Sequence, residues 1–112
     1  MKTFDPSIMF RGWFVGDFEP TAYKTKAFEV SVMAHKQGEV WAAHYHEQSD
    51  EINYLLEGTM TINGELLEAP VIFVIERGEI ADPKFITDCK LVVIKTPSAP
   101  GDKFIVTKES ER

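Results

Sequence analysis

The chain is a succession of short extended runs, each closed by residues that favour turns. At least seven such runs occur at intervals of about 8–12 residues, and almost no stretch has the period of a helix. Regular spacing of this kind is typical of β-sandwiches and closed β-barrels. We therefore predict an all-β fold. The predicted runs are 25–35, 40–46, 51–57, 59–62, 71–75, 90–96 and 104–107.

The first of these runs alternates between apolar and polar residues, which indicates a strand with one buried face. Val30 and Val32 are assigned to the core, and Met33 and His35 to the opposite face. We therefore expect His35 to be exposed. Between the fourth and fifth runs, Asn63-Gly64 predicts a tight hairpin, because both residues tolerate positive φ.

The length of 112 residues suits a single domain. We predict a barrel at 25–107, an arm at 1–24 that packs on the barrel or on a partner subunit, and a frayed tail at 108–112. Aromatic residues are dense between positions 10 and 18, and Trp and Phe are enriched at subunit interfaces.

Acidic residues are concentrated in the middle of the chain. Residues 38–82 contain ten Asp or Glu and one base, Arg77, a local balance of −9 within a total of −6. Nucleic-acid binding depends on clustered Lys and Arg, so we expect no nucleic-acid partner. A cation is the more natural ligand for an acidic segment. The sequence has no apolar run long enough to cross a membrane and no signal-peptide pattern. Its single cysteine, Cys89, fits a reducing compartment, so we expect a cytoplasmic protein.

A group of three potential metal ligands lies in this acidic segment. His44 and His46 are two residues apart on a predicted strand, so both side chains project from one face. The next strand returns Glu51 beside them. Two imidazoles and one carboxylate hold Fe(II) with open coordination positions, and they also suit Mn, Co, Ni or Zn. We therefore predict a metal site at His44, His46 and Glu51, and a catalytic role for the two histidines.

Neighbouring residues are candidates for binding a small-molecule ligand. Asn53 shares the face of Glu51 by strand parity, Tyr54 flanks it, and Arg77 is the only base between 38 and 82. We predict that Asn53, Tyr54 and Arg77 bind substrate. Trp41 has the opposite parity from His44, and we expect it to pack between sheets or subunits.

The same region resembles the first motif of the cupin superfamily. The matching positions, with the motif's spacing, are Gly38, His44, His46, Glu51 and Gly58. The resemblance implies a double-stranded β-helix, which is a small jelly-roll barrel, and it covers residues 25–96. It also implies a divalent metal bound inside the barrel by the two histidines and the glutamate, and a homodimer.

The second cupin motif departs from the family pattern. Its positions fall on Pro70, Glu76, Gly78 and Ala81, and only the glycine is kept. Ala81 stands where most metal-binding cupins have a histidine ligand. Two acids are weaker candidates for a fourth ligand: Asp82, which would need a bulge to reach the site, and Glu79, which has the parity of Ala81.

Three functions remain open from the sequence. The first is a metal-dependent cupin that acts on or binds a small organic or sugar-type ligand, as the dioxygenases, isomerases and lyases that resemble it do. The second is a metal-free sugar-nucleotide isomerase or epimerase in which His44 and His46 perform acid–base chemistry, a task that suits imidazoles near neutral pH. The third is a cupin that binds a small ligand without catalysis.

Overall fold

The computed structural model describes residues 1–106. Two 3₁₀ turns, Pro6–Ile8 and Phe10–Gly12, precede the strands. Thr107 and the predicted tail at 108–112 lie outside the described residues. The strands are β1 (Trp13–Gly16), β2 (Tyr23–Lys24), β3 (Glu29–His35), β4 (His44–Tyr45), β5 (Asp50–Glu57), β6 (Thr59–Ile62), β7 (Glu65–Glu68), β8 (Val71–Ile75), β9 (Pro83–Phe85), β10 (Cys89–Thr96) and β11 (Phe104–Ile105).

The strands form two layers, which confirms the all-β prediction. One layer is a six-stranded sheet in the order β2-β1-β3-β10-β5-β8. The other contains the sheet β7-β6-β9 and the pair β11-β4. Two isolated bridges, His44 to Ala81 and Val40 to Lys84, join the segment around β4 to the segment around β9. No helix among residues 1–106 is long and apolar enough to cross a bilayer.

The apolar core lies between the two layers. Leu55, Leu91 and Val93 from the large sheet pack with Met60 and Phe85 from the three-stranded sheet, and all five are buried. Removal of these side chains from water supplies the main stabilisation of a small β-barrel. It also fixes which residues of each strand point inward.

The bounds of β6 and β8 and the hairpin at Asn63-Gly64 agree with the sequence predictions. Asn63 and Gly64 have φ values of 53° and 80°, and they join β6 to β7. At Gly58, where the chain passes from the large sheet to β6, φ is +98° and an added Cβ would lie 2.2 Å from the Asp88 carbonyl oxygen. This position therefore requires glycine.

The prediction for the faces of β3 is wrong, and so is the expected exposure of His35. Glu29, Ser31 and His35 are buried, whereas Val32 is 46% exposed. The buried polar groups are stabilised by tertiary partners: Ser31 Oγ donates to the Arg11 carbonyl, and the Glu29 carboxylate accepts from the Ala99 N–H. Alternation alone could not identify the inner face, because the outer face of this strand is the more apolar one.

The segment predicted as an arm contributes two strands to the large sheet. β1 pairs with β3, with Trp13 opposite Ser31, and with the short strand β2. The close approach of this segment is visible at Gly12, where φ is +80° and an added Cβ would lie 2.1 Å from the Val32 carbonyl oxygen. Trp13 is thereby placed on the inner side of the barrel, against the core.

Candidate metal centre

His44, His46 and Glu51 converge inside the barrel. His44 begins β4, His46 follows β4, and Glu51 is the second residue of β5. One potential ligand atom from each lies within 4.8 Å of the other two. The Nε2 atom of His46 is 3.4 Å from Glu51 Oε2, and both histidines are buried. The structure therefore brings together the three residues that the sequence singled out.

Backbone carbonyls fix the orientation of both imidazoles. His44 Nδ1 donates to the Ala42 carbonyl over 3.0 Å, and His46 Nδ1 donates to the Asp102 carbonyl. A carbonyl oxygen can only accept, so the proton of each neutral ring is on Nδ1. In the neutral rings the lone pair of each Nε2 is available to a metal ion, an arrangement that is general for metal-binding histidines. His46 reaches this state when its Nε2 no longer donates a proton to Glu51.

Asp102 holds the turn between the second histidine and the glutamate. Its carboxylate accepts hydrogen bonds from the backbone N–H groups of Glu47, Gln48 and Ser49, over 2.9, 3.0 and 3.1 Å. The residue is only 4% exposed. Burial alone would raise the pKa of Asp102, but the three N–H donors lower the pKa below its ordinary value. Nothing in the local sequence marks Asp102 as part of the site, because it lies 56 residues from His46.

The ionisable groups of the site influence one another. Burial lowers the pKa of His44 below its ordinary value. Burial acts the same way on His46, but the hydrogen bonds to Glu51 and to the Asp102 carbonyl outweigh it, so the pKa of His46 is raised. Burial would raise the pKa of Glu51, but the hydrogen bond to His46 and the nearby positive charges bring it below its ordinary value. Glu51 is therefore a carboxylate anion at neutral pH.

The three residues open onto a cavity of about 230 Å³. Much of its lining is apolar and includes Met60, Phe73 and Phe85. Arg11 and Lys103 also line the cavity, and their exposure places them at its mouth.

The predicted substrate-binding residues lie in different places. Asn53 is 4% exposed and lines the cavity. Tyr54 is 41% exposed on the opposite face of β5, because successive residues of a strand point to opposite sides. Arg77 lies outside the cavity, where its guanidinium forms a two-pronged ion pair with Asp50, with nitrogen–oxygen distances of 3.3 and 3.1 Å.

The two weaker ligand candidates also lie outside the cavity. The carboxylate of Glu79 accepts from the Glu76 N–H over 2.9 Å and is exposed, and Asp82 does not line the cavity. Ala81 does line it, and it exchanges two backbone hydrogen bonds with His44, over 3.0 and 2.7 Å. The residue at the position where the sequence resemblance implies a fourth ligand therefore faces the site but offers only a methyl group.

A second polar cluster borders the cavity. The Glu39 carboxylate accepts from Trp41 Nε1 over 2.6 Å and from His35 Nδ1. The hydrogen bond from His35 is the main cause of the lowered pKa of Glu39. His35 stacks on Phe85 at 4.1 Å between ring centroids. Trp41 packs against the apolar core, as expected, but it also lines the cavity together with His44, although its parity placed it on the opposite face.

No protein-family model matches the chain, and no curated protein matches it. Several solved structures are similar in fold. One is an uncharacterized conserved protein with a double-stranded beta-helix domain from Klebsiella pneumoniae subsp. pneumoniae. It has a TM-score of 0.66 and 20% identity, and the match covers 75% of this chain and 74% of that one.

Two further similar structures come from larger proteins. An acetylacetone dioxygenase from Acinetobacter johnsonii has a TM-score of 0.64 and 15% identity, over 76% of this chain and 58% of that one. A protein of unknown function with a cupin-like fold from Ralstonia eutropha has a TM-score of 0.65 and 11% identity, over 87% of this chain and 57% of that one. This chain thus matches a little over half the length of these two proteins. Similarity at these levels of identity establishes the fold alone.

Proposed function

Because the chain has the cupin fold, a double-stranded β-helix, we propose that it is a metal-dependent enzyme that acts on a small organic ligand. His44, His46 and Glu51 would hold a divalent ion inside the cavity. The observation that carries this proposal is the convergence of their three ligand atoms within 4.8 Å.

The donor set fits a catalytic ion. Two neutral imidazoles and one carboxylate suit Fe, Mn, Co, Ni or Zn, and three protein ligands leave positions open for a ligand. Both Nε2 atoms are already aimed by hydrogen bonds on the far side of the rings. A divalent ion held here would polarise a carbonyl or carboxylate oxygen of the ligand, or, as Fe(II), would support chemistry with O₂.

The chain's own residues would position that ligand. Asn53 lies two residues after Glu51 on the inner face of β5, and its side chain lines the cavity. The amide is therefore available to orient a ligand beside Glu51. The apolar residues that line the cavity would exclude water from the rest of the ligand.

A second candidate function uses the histidines without a metal. The observation that favours it is the methyl group of Ala81 opposite His44, where the resemblance implies a fourth ligand. In that case His44 and His46 would exchange protons with a sugar-type substrate. Three protein ligands are the usual number in catalytic metal sites, so we favour the metal-dependent function.

Metal analysis of protein purified without a chelator or a metal-affinity tag tests the proposal. We expect about one divalent ion per chain, and at least a tenfold loss of metal affinity in His46→Ala and Glu51→Gln. Glu79→Gln and Asp82→Asn are matched controls that remove nearby carboxylates outside the cavity, and they should retain the ion.

Two outcomes would overturn the metal-dependent function. Unchanged metal content in His46→Ala would exclude these ligands. Turnover that persists in excess chelator but is lost in His44→Ala would support the metal-free function instead.

A further inference from the structure

The cavity has an excess of positive charge that the proposed metal ligands do not explain. Arg11, Lys95 and Lys103 line it, whereas Glu51 is the only carboxylate among the lining residues. The chain as a whole carries a charge of −6. Nine of the ten acids between residues 38 and 82 therefore lie outside this cavity, and its interior has the opposite sign from the rest of the molecule.

Lys95 is fixed directly beside the proposed metal ligand. On β10 it pairs with Glu51 of β5 on one side and with Glu29 of β3 on the other, so the three side chains share the inner face. Its Nζ is 3.9 Å from Glu29 Oε2 and 4.8 Å from the centroid of the Trp13 ring. The side chain is only 14% exposed.

Lys103 approaches the same region from the other layer. It follows Asp102, whose carbonyl orients His46, and its Nζ is 4.4 Å from the centroid of the Trp41 ring. Lys103 is exposed overall, but partial burial of its ammonium group is the main cause of its lowered pKa, and the charges of Arg11 and Lys95 lower this pKa further. All three cations line the same cavity, so their charges repel one another.

Neither Lys103 nor Arg11 forms an ion pair within residues 1–106. Two cations that lie near each other with no carboxylate at ion-pair distance are in an unfavourable arrangement unless a counter-charge joins them. An anion in the cavity would supply that charge. It would also lie beside Glu51 and the histidines, where a divalent ion would attract it further.

We propose that the ligand of this cavity is a small organic acid, whose carboxylate binds between Lys95 and Lys103 beside the metal ligands. Arg11 would attract it at the mouth, and its apolar part would rest on Phe73 and Phe85. The volume of about 230 Å³ is below the range of about 300–1,000 Å³ that drug-sized ligands occupy, so the acid is small. This inference deepens the proposed function and rests on it for the chemistry, but the anion site itself needs no metal.

Calorimetric titration of the whole protein tests the inference. The probes are oxalate, pyruvate and benzoate, each compared with its neutral amide, and inorganic phosphate. We expect at least one carboxylate to bind about tenfold or more tightly than its amide, and this preference to decrease at high salt.

Three variants test whether Lys103 binds the carboxylate. Lys103→Gln should weaken carboxylate binding by about tenfold, because it removes one charge-assisted contact. Lys103→Arg keeps the charge and should retain most of the affinity. Lys90→Gln removes an exposed lysine outside the cavity and should change nothing.

The outcomes separate this inference from the proposed function. Equal binding of acids and amides, or no binding of either, by protein that still holds its metal would overturn the organic-acid ligand and leave the metal centre intact. Tighter binding of phosphate than of every carboxylate would also overturn it. Carboxylate selectivity in protein that binds no metal would support the anion site and count against the metal-dependent function.

Discussion

At the scale of single residues, the candidate site depends on Asp102 as well as on its three potential ligands. The carboxylate of Asp102 satisfies three backbone donors of the turn after His46, and its carbonyl orients the His46 ring. One residue thereby sets both the direction of an imidazole and the path of the chain from His46 to Glu51. A buried carboxylate with three N–H partners is also expected to stabilise the fold.

Asp102→Asn should lower the free energy of unfolding by about 2 kcal/mol at neutral pH, since hydrogen bonds to a charged group contribute about 1.5–3 kcal/mol. The folded-state pKa of Asp102 lies below its ordinary value. Its contribution is therefore complete above the unfolded pKa, about 3.9, and is lost as the pH falls through the lower folded value. Urea denaturation between pH 7 and pH 3 should show a constant difference between wild type and variant down to about pH 5, and a shrinking difference below pH 4.

The control for this series is Asp82→Asn, which removes a carboxylate that makes no hydrogen bond to residues 1–106. Its unfolding free energy should differ little from that of the wild type. If Asp102→Asn were as stable as Asp82→Asn at pH 7, the turn would not depend on the Asp102 carboxylate.

At the scale of elements, local signals identified the strands better than their faces. β6 and β8 have the predicted bounds because turn residues enclose each short apolar run. The inner face of β3 was assigned wrongly, because its buried residues are polar and depend on partners that are distant in the sequence. β7 and β9 were missed, because neither has a clear alternation.

The candidate site also combines residues that local sequence signals can identify with residues that they cannot. His44, His46 and Glu51 lie within eight residues of one another, so strand parity and a hairpin are enough to bring them together. Asp102 and Lys95 reach the site only through the pairing of strands that are far apart in the chain. No local pattern could have identified them.

The bridge between His44 and Ala81 predicts what a histidine at position 81 would do to metal affinity. The two residues face each other across an antiparallel pair, and Ala81 lines the cavity. A histidine in place of Ala81 would enter the cavity on the same side as His44. Ala81→His should therefore raise the affinity for a divalent ion by about tenfold or more, measured by competition with a chromophoric chelator.

Ile80→His is the matched control, because its side chain is 44% exposed and points away from the cavity. It adds an imidazole one position earlier and should leave metal affinity unchanged. Equal gains in the two variants would mean that the added histidine binds metal outside the site.

At the scale of the whole molecule, negative charge lies mainly on the exterior and positive charge lines the cavity. The acidic segment predicted a cation as the ligand of this protein. However, most carboxylates of that segment face solvent, whereas cationic side chains line the cavity. The negative exterior would repel small acids at long range. Selectivity for an anion would thus come from short-range contacts inside the cavity, where screening by salt is weaker than at the surface.

The outer face of the large sheet is unusually apolar. Two rows of side chains cross β3, β10, β5 and β8 in register. Several of their members are strongly exposed, among them Ile72 at 61%, Val74 at 50% and Val32 at 46%. The rows are Val32, Val92, Tyr54 and Ile72, and Val30, Ile94, Ile52 and Val74.

We expect this face to form the homodimer that the sequence resemblance implies. With strands about 4.8 Å apart and alternate residues about 6.8 Å apart, the two rows and their flanking residues cover roughly 300–400 Å². A standard interface buries about 800 Å² per partner, so neighbouring surface must contribute and the dimer should dissociate in the micromolar range.

Tyr54→Glu and Ile72→Glu place charges at the centre and the edge of the face, and each should shift the protein toward monomer in sedimentation experiments. Leu66→Glu, on the exposed side of β7 in the other layer, is the control that should leave the equilibrium unchanged. A wild-type protein that stays monomeric at about 100 µM, or an equal response of all three variants, would mean that the apolar face has another role.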